Sequence, residues 1–288
     1  MRELLDEVNP ASIKGAFKEV FSKAQRGKVL ERFVYMDKYY LLSIDGTGYF
    51  SSHEVHCDSC CKKEHKDGSV TYYHQMLSAV IVHPDEKVVI PLAPEAIIKS
   101  DGDKKNDCER NAAKRLIPDI RKDHPQMKFL VIEDGLASNG PHIDLLKKHH
   151  FSFILGAKPG DHEWLFDWVK HSDKVETVTY REGKKTITLR YLNGVPLNDS
   201  RGDLLVNFLE CVEVLDNGKK TTFSWVTDLE ITDKNVKQIM KGARARWKIE
   251  NETFNTLKTQ GYHFDHNFGH GNKYLSTVLA HLMMLAFL

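Results

Sequence analysis

Cysteine is scarce in this chain and falls in an odd number, five, with Cys60 and Cys61 adjacent. That usage excludes a secreted disulfide scaffold and leads to the expectation of a reducing cytoplasm. No stretch of about 18 uninterrupted apolar residues occurs, so no membrane-spanning helix is expected, and no signal peptide is recognisable. The tail 274–288 is apolar but short, broken by Ser276 and His281, and reads as a buried helix. Neither sign of charge dominates: the formal net charge is +1, which gives the whole molecule no attraction to nucleic acid. Internal repeats and low-complexity segments are absent too. What remains is an ordinary globular composition, 41% hydrophobic and 28% charged over 288 residues, enough for one large domain or two modest ones.

Three carboxylates carry the sharpest signal. Asp45 closes the run Tyr39-Tyr40-Leu41-Leu42-Ser43-Ile44, and Asp134 closes Phe129-Leu130-Val131-Ile132-Glu133; each is followed by glycine. Taken alone, each is an ordinary strand-end turn. Strand alternation puts Asp134 on one face with Leu130 and Ile132, and Glu133 on the other. Glu250 falls within a helical pattern over 232–258 whose apolar stripe reads Val236, Met240, Ala243, Trp247, Glu250, Phe254, Leu257. That spacing turns Glu250 inward, where a charge requires an ion partner or a metal. Arg246, one turn earlier, is the structural alternative, a buried ion pair. Glu252 lies far round the helix and is set aside. Two strand-end aspartates and an inward glutamate suit two Mg²⁺ or Mn²⁺ ions acting on a phosphodiester. Lys234, Lys237, Lys241, Arg244, Arg246, Lys248 and Lys258 make the same helix basic, either as a solvated face or as a phosphate-binding one.

The periodicities predict a helix over 11–25, strands near 39–45, 70–83 and 86–92, and a helix near 107–122 capped by Asn106. The strand ending at Asp134, a helix near 141–149 and a strand over 151–157 follow. This order predicts an α/β fold, a mixed sheet with helices on its faces. From 174 to 228 four strand-like runs follow one another, with turns at Glu182-Gly183-Lys184 and Asp216-Asn217-Gly218. The division expected is an N-terminal helical segment 1–38, a core 39–173, a β-rich insertion 174–228, and a return to the core over 229–288.

The segment Arg246-Trp247-Lys248-Ile249-Glu250, continuing through Phe254-Asn255-Thr256-Leu257-Lys258-Thr259, resembles the signature of bacterial insertion-sequence transposases of the DDE type, in the subgroup with a Tyr-Arg-Glu-Lys motif. Ile44-Asp45-Gly46-Thr47 and Glu133-Asp134-Gly135 fall where that family's first two acids fall, and the resemblance spans roughly residues 39–260. It implies an RNase H-like core with a β-rich insertion before the glutamate helix. It further implies a DNA transposase that hydrolyses a phosphodiester at a transposon end and joins the freed 3′-OH to a target strand. Asp45, Asp134 and Glu250 would then hold two metal ions, and Arg246, Arg244, Lys248 and Lys258 would contact phosphate. The implied partners are double-stranded DNA and a second copy of the chain. Ala243 stands where the motif's tyrosine would be, and Leu257 where its lysine would be, with Lys258 one residue later. Family members are usually longer, so the resemblance implies either that a separate end-recognition domain is absent or that this is a truncated or remnant copy. A DNA-binding remnant without catalysis and another RNase H-like nuclease are the alternatives.

His53, His56, Cys57, Cys60, Cys61 and His65 crowd into one short segment after Asp45. Cys57-x-x-Cys60 with His53 and His56 can form a Cys₂His₂ zinc site, and the alternative is a polar loop with incidental cysteines. Cys108 is either a remote partner or a packed residue. Trp164, Trp168, Trp225, Tyr262 and Phe264 are candidates for base stacking or for the core. His263, His266 and His270 follow the glutamate helix in a glycine-rich stretch and contact DNA or cap structure.

Overall fold

The computed structural model describes residues 1–102, 105–266 and 268–288, with the side chains of 105–107 outside the description. In chain order come α1 (Arg2–Asp6), α2 (Lys14–Arg26), β1 (Val34–Tyr35), β2 (Tyr39–Ser52), β3 (Cys61–Glu64), β4 (Val70–Val82), β5 (Ile90–Pro91), β6 (Glu95–Ile97) and α3 (Lys105–Asp123). Then follow β7 (Phe129–Glu133), α4 (Gly140–Lys148), β8 (Ser152–Gly156), α5 (Glu163–His171), β9 (Glu176–Glu182), β10 (Lys185–Pro196), β11 (Leu205–Leu215), β12 (Lys220–Thr227) and α6 (Val236–Arg244). A π-helical turn (Ile249–Phe254), α7 (Asn255–Thr259) and α8 (Leu275–Phe287) complete the chain. The protein is α/β, with a large mixed sheet flanked by helices. No described helix is long and apolar enough to cross a membrane.

Two compact units share the chain: residues 1–34, 42–127 and 247–288 form the first, and 35–41 and 128–246 the second. In the first unit β4 carries β3, β5 and β6 in antiparallel pairing and neighbours β2. Helix α3 packs on β4 and β6, while α8 packs against α1 and α7. Lys14 bridges Glu95 (2.6 Å) and Asp119 (2.8 Å). Arg115 grips the buried Asp101 through two bonds of 2.6 and 2.9 Å, so α2, β6 and α3 are tied by charge as well as by apolar packing.

The second unit holds a sheet in the order β7-β8-β12-β11-β10-β9. Strands β7 and β8 are parallel and the remaining pairs antiparallel. All of β7 is buried, as a strand covered on both faces must be, which is why its sequence is a continuous apolar run. Helix α6 packs on β7, β8 and β11, α4 on β8, and α5 on β10. The four strands β9–β12 occupy the stretch expected to be β-rich, and Gly183 and Gly218 adopt φ of 57° and 81° at the two expected turns.

Three local expectations are corrected. Strand β2 does not end at Asp45 but runs on to Ser52, carried by Thr47, Tyr49 and Phe50. Gly46 serves close approach rather than a turn: a Cβ there would lie 2.8 Å from Glu109 Cδ of α3. The strand expected over 86–92 contracts to β5, because Lys87 and Val88 are exposed and Pro91 cannot donate to a ladder. The single helix expected over 232–258 is interrupted: α6 ends at Arg244, and the chain resumes as the π-helical turn and α7. The widened i→i+5 turn shifts the side-chain phase, so the 3.6-residue stripe does not run through it. Trp247, which comes after the break at 245–246 and before the π-helical turn, is 51% exposed, not buried. The cap expected at Asn106 concerns a side chain outside the description.

Candidate metal centre

Four side chains of the first unit converge on one point. The ligand atoms of Cys57, Cys60, His74 and His270 all lie within 4.8 Å of one another. Cys57 Sγ is 3.9 Å from Cys60 Sγ and 3.8 Å from His74 Nε2. Cys60 Sγ is 3.4 Å from His74 Nε2 and 3.2 Å from His270 Nε2, and the two imidazole nitrogens are 3.1 Å apart. Cys60, His74 and His270 are buried and Cys57 is half-buried.

Local structure delivers each ligand. A turn between β2 and β3 brings the cysteines together, with the Cys60 amide donating to the Cys57 carbonyl at 3.2 Å and the Cys57 amide reaching Cys60 Sγ at 3.4 Å. His74 lies mid-strand in β4, on the face it shares with Met76. His270 arrives in Gly269-His270-Gly271, whose glycines adopt φ of 123° and 70°, a backbone that side chains resist. Its Nδ1 donates to the Gly271 carbonyl at 2.8 Å, which fixes the tautomer and leaves the Nε2 lone pair facing the cluster. Aromatic rings wall the centre: Tyr49 lies parallel to His74 at 5.9 Å, and Phe50 lies 4.3 Å from His270. Burial pushes the His74 imidazole down to about 4, so it is neutral and ready to ligate at pH 7. It raises Cys60 to about 11, so without a cation that thiol keeps its proton. Two thiols and two imidazoles, three of the four side chains buried, make a group that could hold a metal ion.

Of the expected set the structure brings Cys57 and Cys60 together, with His74 and His270 beside them, and places His53 and His56 elsewhere. His53 is exposed and its Nδ1 donates to the Val70 carbonyl (3.1 Å). His56 is exposed, donates to the Glu54 carbonyl (2.9 Å) and stacks on Tyr72. His65 Nε2 is 2.7 Å from Thr71 Oγ1. Cys108 is a packed residue whose thiol donates to the Gly102 carbonyl at 2.8 Å.

The three acids stand on different elements. Asp45, in the first unit, is half-buried within β2, and its Oδ1 accepts from the Gly46 amide (2.8 Å). Glu250, also in the first unit, is half-buried in the π-helical turn between the buried Ile249 and Thr253. Asp134, in the second unit, follows β7 directly. Its side chain is exposed, and Oδ1 accepts from the Leu136 amide (2.9 Å). Its neighbour Glu133 is buried and bonded to His142 Nε2 at 2.7 Å. Of the basic residues, Arg244 pairs with Glu213 and lies over Phe223, Lys248 donates to the Glu86 carbonyl at 2.6 Å, and Lys258 pairs with Asp265 at 3.3 Å. Arg246 is half-buried. Trp225 and Phe264 belong to the core, Tyr262 is half-buried, and Trp164 and Trp168 are exposed neighbours on α5, 6.3 Å apart. No protein-family model matches the sequence, and no curated protein matches it.

Proposed function

We propose that this chain is a metal-dependent DNA transposase of the DDE type with an RNase H-like core, acting on double-stranded DNA in the bacterial cytoplasm, as a homodimer. The observation that carries the reading is the acid-bearing signature around Glu250 together with Asp45 and Asp134 at the family's positions. It is supported by the element under each acid: a strand for Asp45, the residue after a strand for Asp134, a helical turn for Glu250. The β-rich stretch between Asp134 and Glu250 supports it further. Mg²⁺ or Mn²⁺, two ions on these carboxylates, would activate the attacking oxygen and stabilise the leaving one. Arg246, Arg244, Lys248 and Lys258 would hold the phosphodiester beside them.

The test is strand cleavage of a duplex carrying the DNA that flanks the protein's own coding sequence, with Mn²⁺ or Mg²⁺. Cleavage that is lost in Glu250→Gln, with DNA binding kept, is the expected result. Cleavage that survives the substitution removes Glu250 from the reaction. Binding without any metal-dependent cleavage identifies a non-catalytic remnant, and cleavage without strand transfer another nuclease.

A second kind of metal, Zn²⁺, is proposed for Cys57, Cys60, His74 and His270. Ordinary Zn–S and Zn–N lengths in a tetrahedron give edges of about 3.8 Å between sulfurs, about 3.5 Å from sulfur to nitrogen and about 3.3 Å between nitrogens. The cluster's 3.9, 3.4 and 3.1 Å separations support that ion. Thiolate and imidazole ligands favour it over Mg²⁺. Elemental analysis of the protein purified without chelator tests it: one zinc per chain is expected, and none would refute it.

A further inference from the structure

We infer that Asp6 is a positioning residue for the metal centre: its carboxylate clamps the turn that presents His270, so the N-terminal helix and the bound ion are coupled. This rests on the reading that the four-ligand cluster holds a metal.

His270 is the ligand farthest along the chain, and its place depends on the turn that follows it. Asp6 Oδ1 accepts the amides of Lys273 (3.0 Å), Tyr274 (2.9 Å) and Leu275 (2.8 Å), and Oδ2 accepts that of Asn272 (2.8 Å). One carboxylate thus satisfies four consecutive amides leading into α8, the last of them at its first residue, Leu275, where a helix start leaves the amide without an intrahelical partner. Desolvation works against the charge, but the four amides outweigh it and hold the Asp6 carboxyl at about 2. The Ser276 amide, in turn, donates to the His270 carbonyl at 3.3 Å. Lys273 adds a second clamp, its Nζ lying 2.7 Å from Glu7.

Gly271 binds the two ends of this arrangement together. A Cβ at that position would collide with the Asp6 carboxylate and lie 2.6 Å from Leu275 Cβ. The carbonyl of the same Gly271 receives the Nδ1 proton of His270. The residue that fixes the His270 tautomer is therefore packed against the Asp6 clamp. Helix α1 buries none of its own residues. What fastens it is this polar contact and its packing on α8, so the clamp is more than a by-product of core packing.

Coupling of this kind is reciprocal: if Asp6 favours metal binding, metal favours the Asp6 contacts to the same degree. The experiment uses the full chain, stripped of metal and titrated with Co²⁺, then with Zn²⁺ in competition. Wild type is expected to show the intense visible bands of tetrahedral Co²⁺. Asp6→Ala is expected to keep the band shape, since all four ligands remain, and to lose affinity by about 10- to 100-fold, the usual effect of disturbing a group that orients a ligand. His270→Ala should change the bands themselves. Wild-type affinity in Asp6→Ala overturns the positioning role, whereas absent tetrahedral bands in wild type overturn the metal reading instead. Should Asp6→Ala fail to fold, amide exchange at 272–275 in wild type decides. Slower exchange on adding Zn²⁺ supports the coupling, and unchanged exchange refutes it.

Discussion

Cys60 Sγ lies 3.2 Å from His270 Nε2, although 210 residues separate them along the chain. An ion between them would join the loop after β2 to the segment before α8 and thereby add a cross-link to the first unit. With free Zn²⁺ at 1,000 times the dissociation constant, binding stabilises the fold by about 4 kcal/mol. Cys60→Ser should abolish zinc retention and lower the melting temperature by roughly 10 °C, the size of effect that such a loss has in a chain of this length. Elemental analysis measures the retention and scanning calorimetry of the zinc-loaded, chelated and variant proteins the melting temperatures, and equal melting curves would rule out a stabilising ion.

Substitution of the neighbouring histidines separates proximity in sequence from proximity in space. His53→Ala and His56→Ala should retain one zinc per chain, because both side chains are exposed and bonded elsewhere. His74→Ala should lose it. Metal analysis after dialysis distinguishes the two sets, and loss of zinc from the His53 variant would mean that the ligand set is wrong.

Glu133 and His142 form a buried pair at 2.7 Å. Removing the imidazole strands a carboxylate in a dry site, so His142→Ala should cost about 3 kcal/mol. Glu133→Leu together with His142→Leu should cost much less, because no charge is left behind. Urea unfolding of the three proteins provides the comparison, and a double variant as unstable as the single one would contradict it.

His124 packs its ring 4.3 Å from Phe21, and burial pushes its pKa down to about 4. The unfolded chain binds this proton more readily than the folded one. The contribution is therefore complete above the unfolded value near 6.5 and is lost as pH falls from there towards about 4. On the order of 2 kcal/mol should disappear across that window. Denaturation midpoints measured from pH 7 to pH 4 should fall less steeply in His124→Gln, and parallel profiles would show that another group is responsible.

Gly156 touches the backbone beside Asp134. A Cβ there would lie 3.0 Å from the Gly135 nitrogen and 3.2 Å from the Asp134 carbonyl carbon, so Gly156→Ala must displace the loop carrying the acid. Metal-dependent cleavage should fall at least tenfold, with a stability loss of about 1–2 kcal/mol. Gly160→Ala meets nothing within 4 Å and should change neither. Equal cleavage by both variants would separate Asp134 from the reaction.

Local chemistry was legible in the sequence and distant chemistry was not. The β7 run, the turns at Gly183 and Gly218, and the Cys57-x-x-Cys60 pair could be read because each is decided by residues a few positions apart. His74 could have been suspected from its inward phase in β4, alongside Met76, where a histidine has to find a partner. His270 offered only its flanking glycines, which mark a strained turn but not its destination. The broken helix was hidden for another reason: a 3.6-residue stripe extends on paper through Trp247, but α6 stops at Arg244, a turn follows at 245–246, and the π-helical turn beyond keeps a different period. Alternation assigned Glu133 to the face opposite Asp134, yet it did not reveal that every residue of β7 is buried.

The interleaving of the two units gives the protein an order of assembly. Residues 128–246, the bulk of the second unit, leave the ribosome as one stretch and can pair their strands at once. The first unit has its sheet early but waits for residues 247–288, and its metal centre waits for His270. Until then a nascent chain presents two thiols and one imidazole, an incomplete grip on any ion. On the zinc reading proposed above, tight retention would mark synthesis past His270, and a chain broken off before it would surrender a bound ion to any competing chelator.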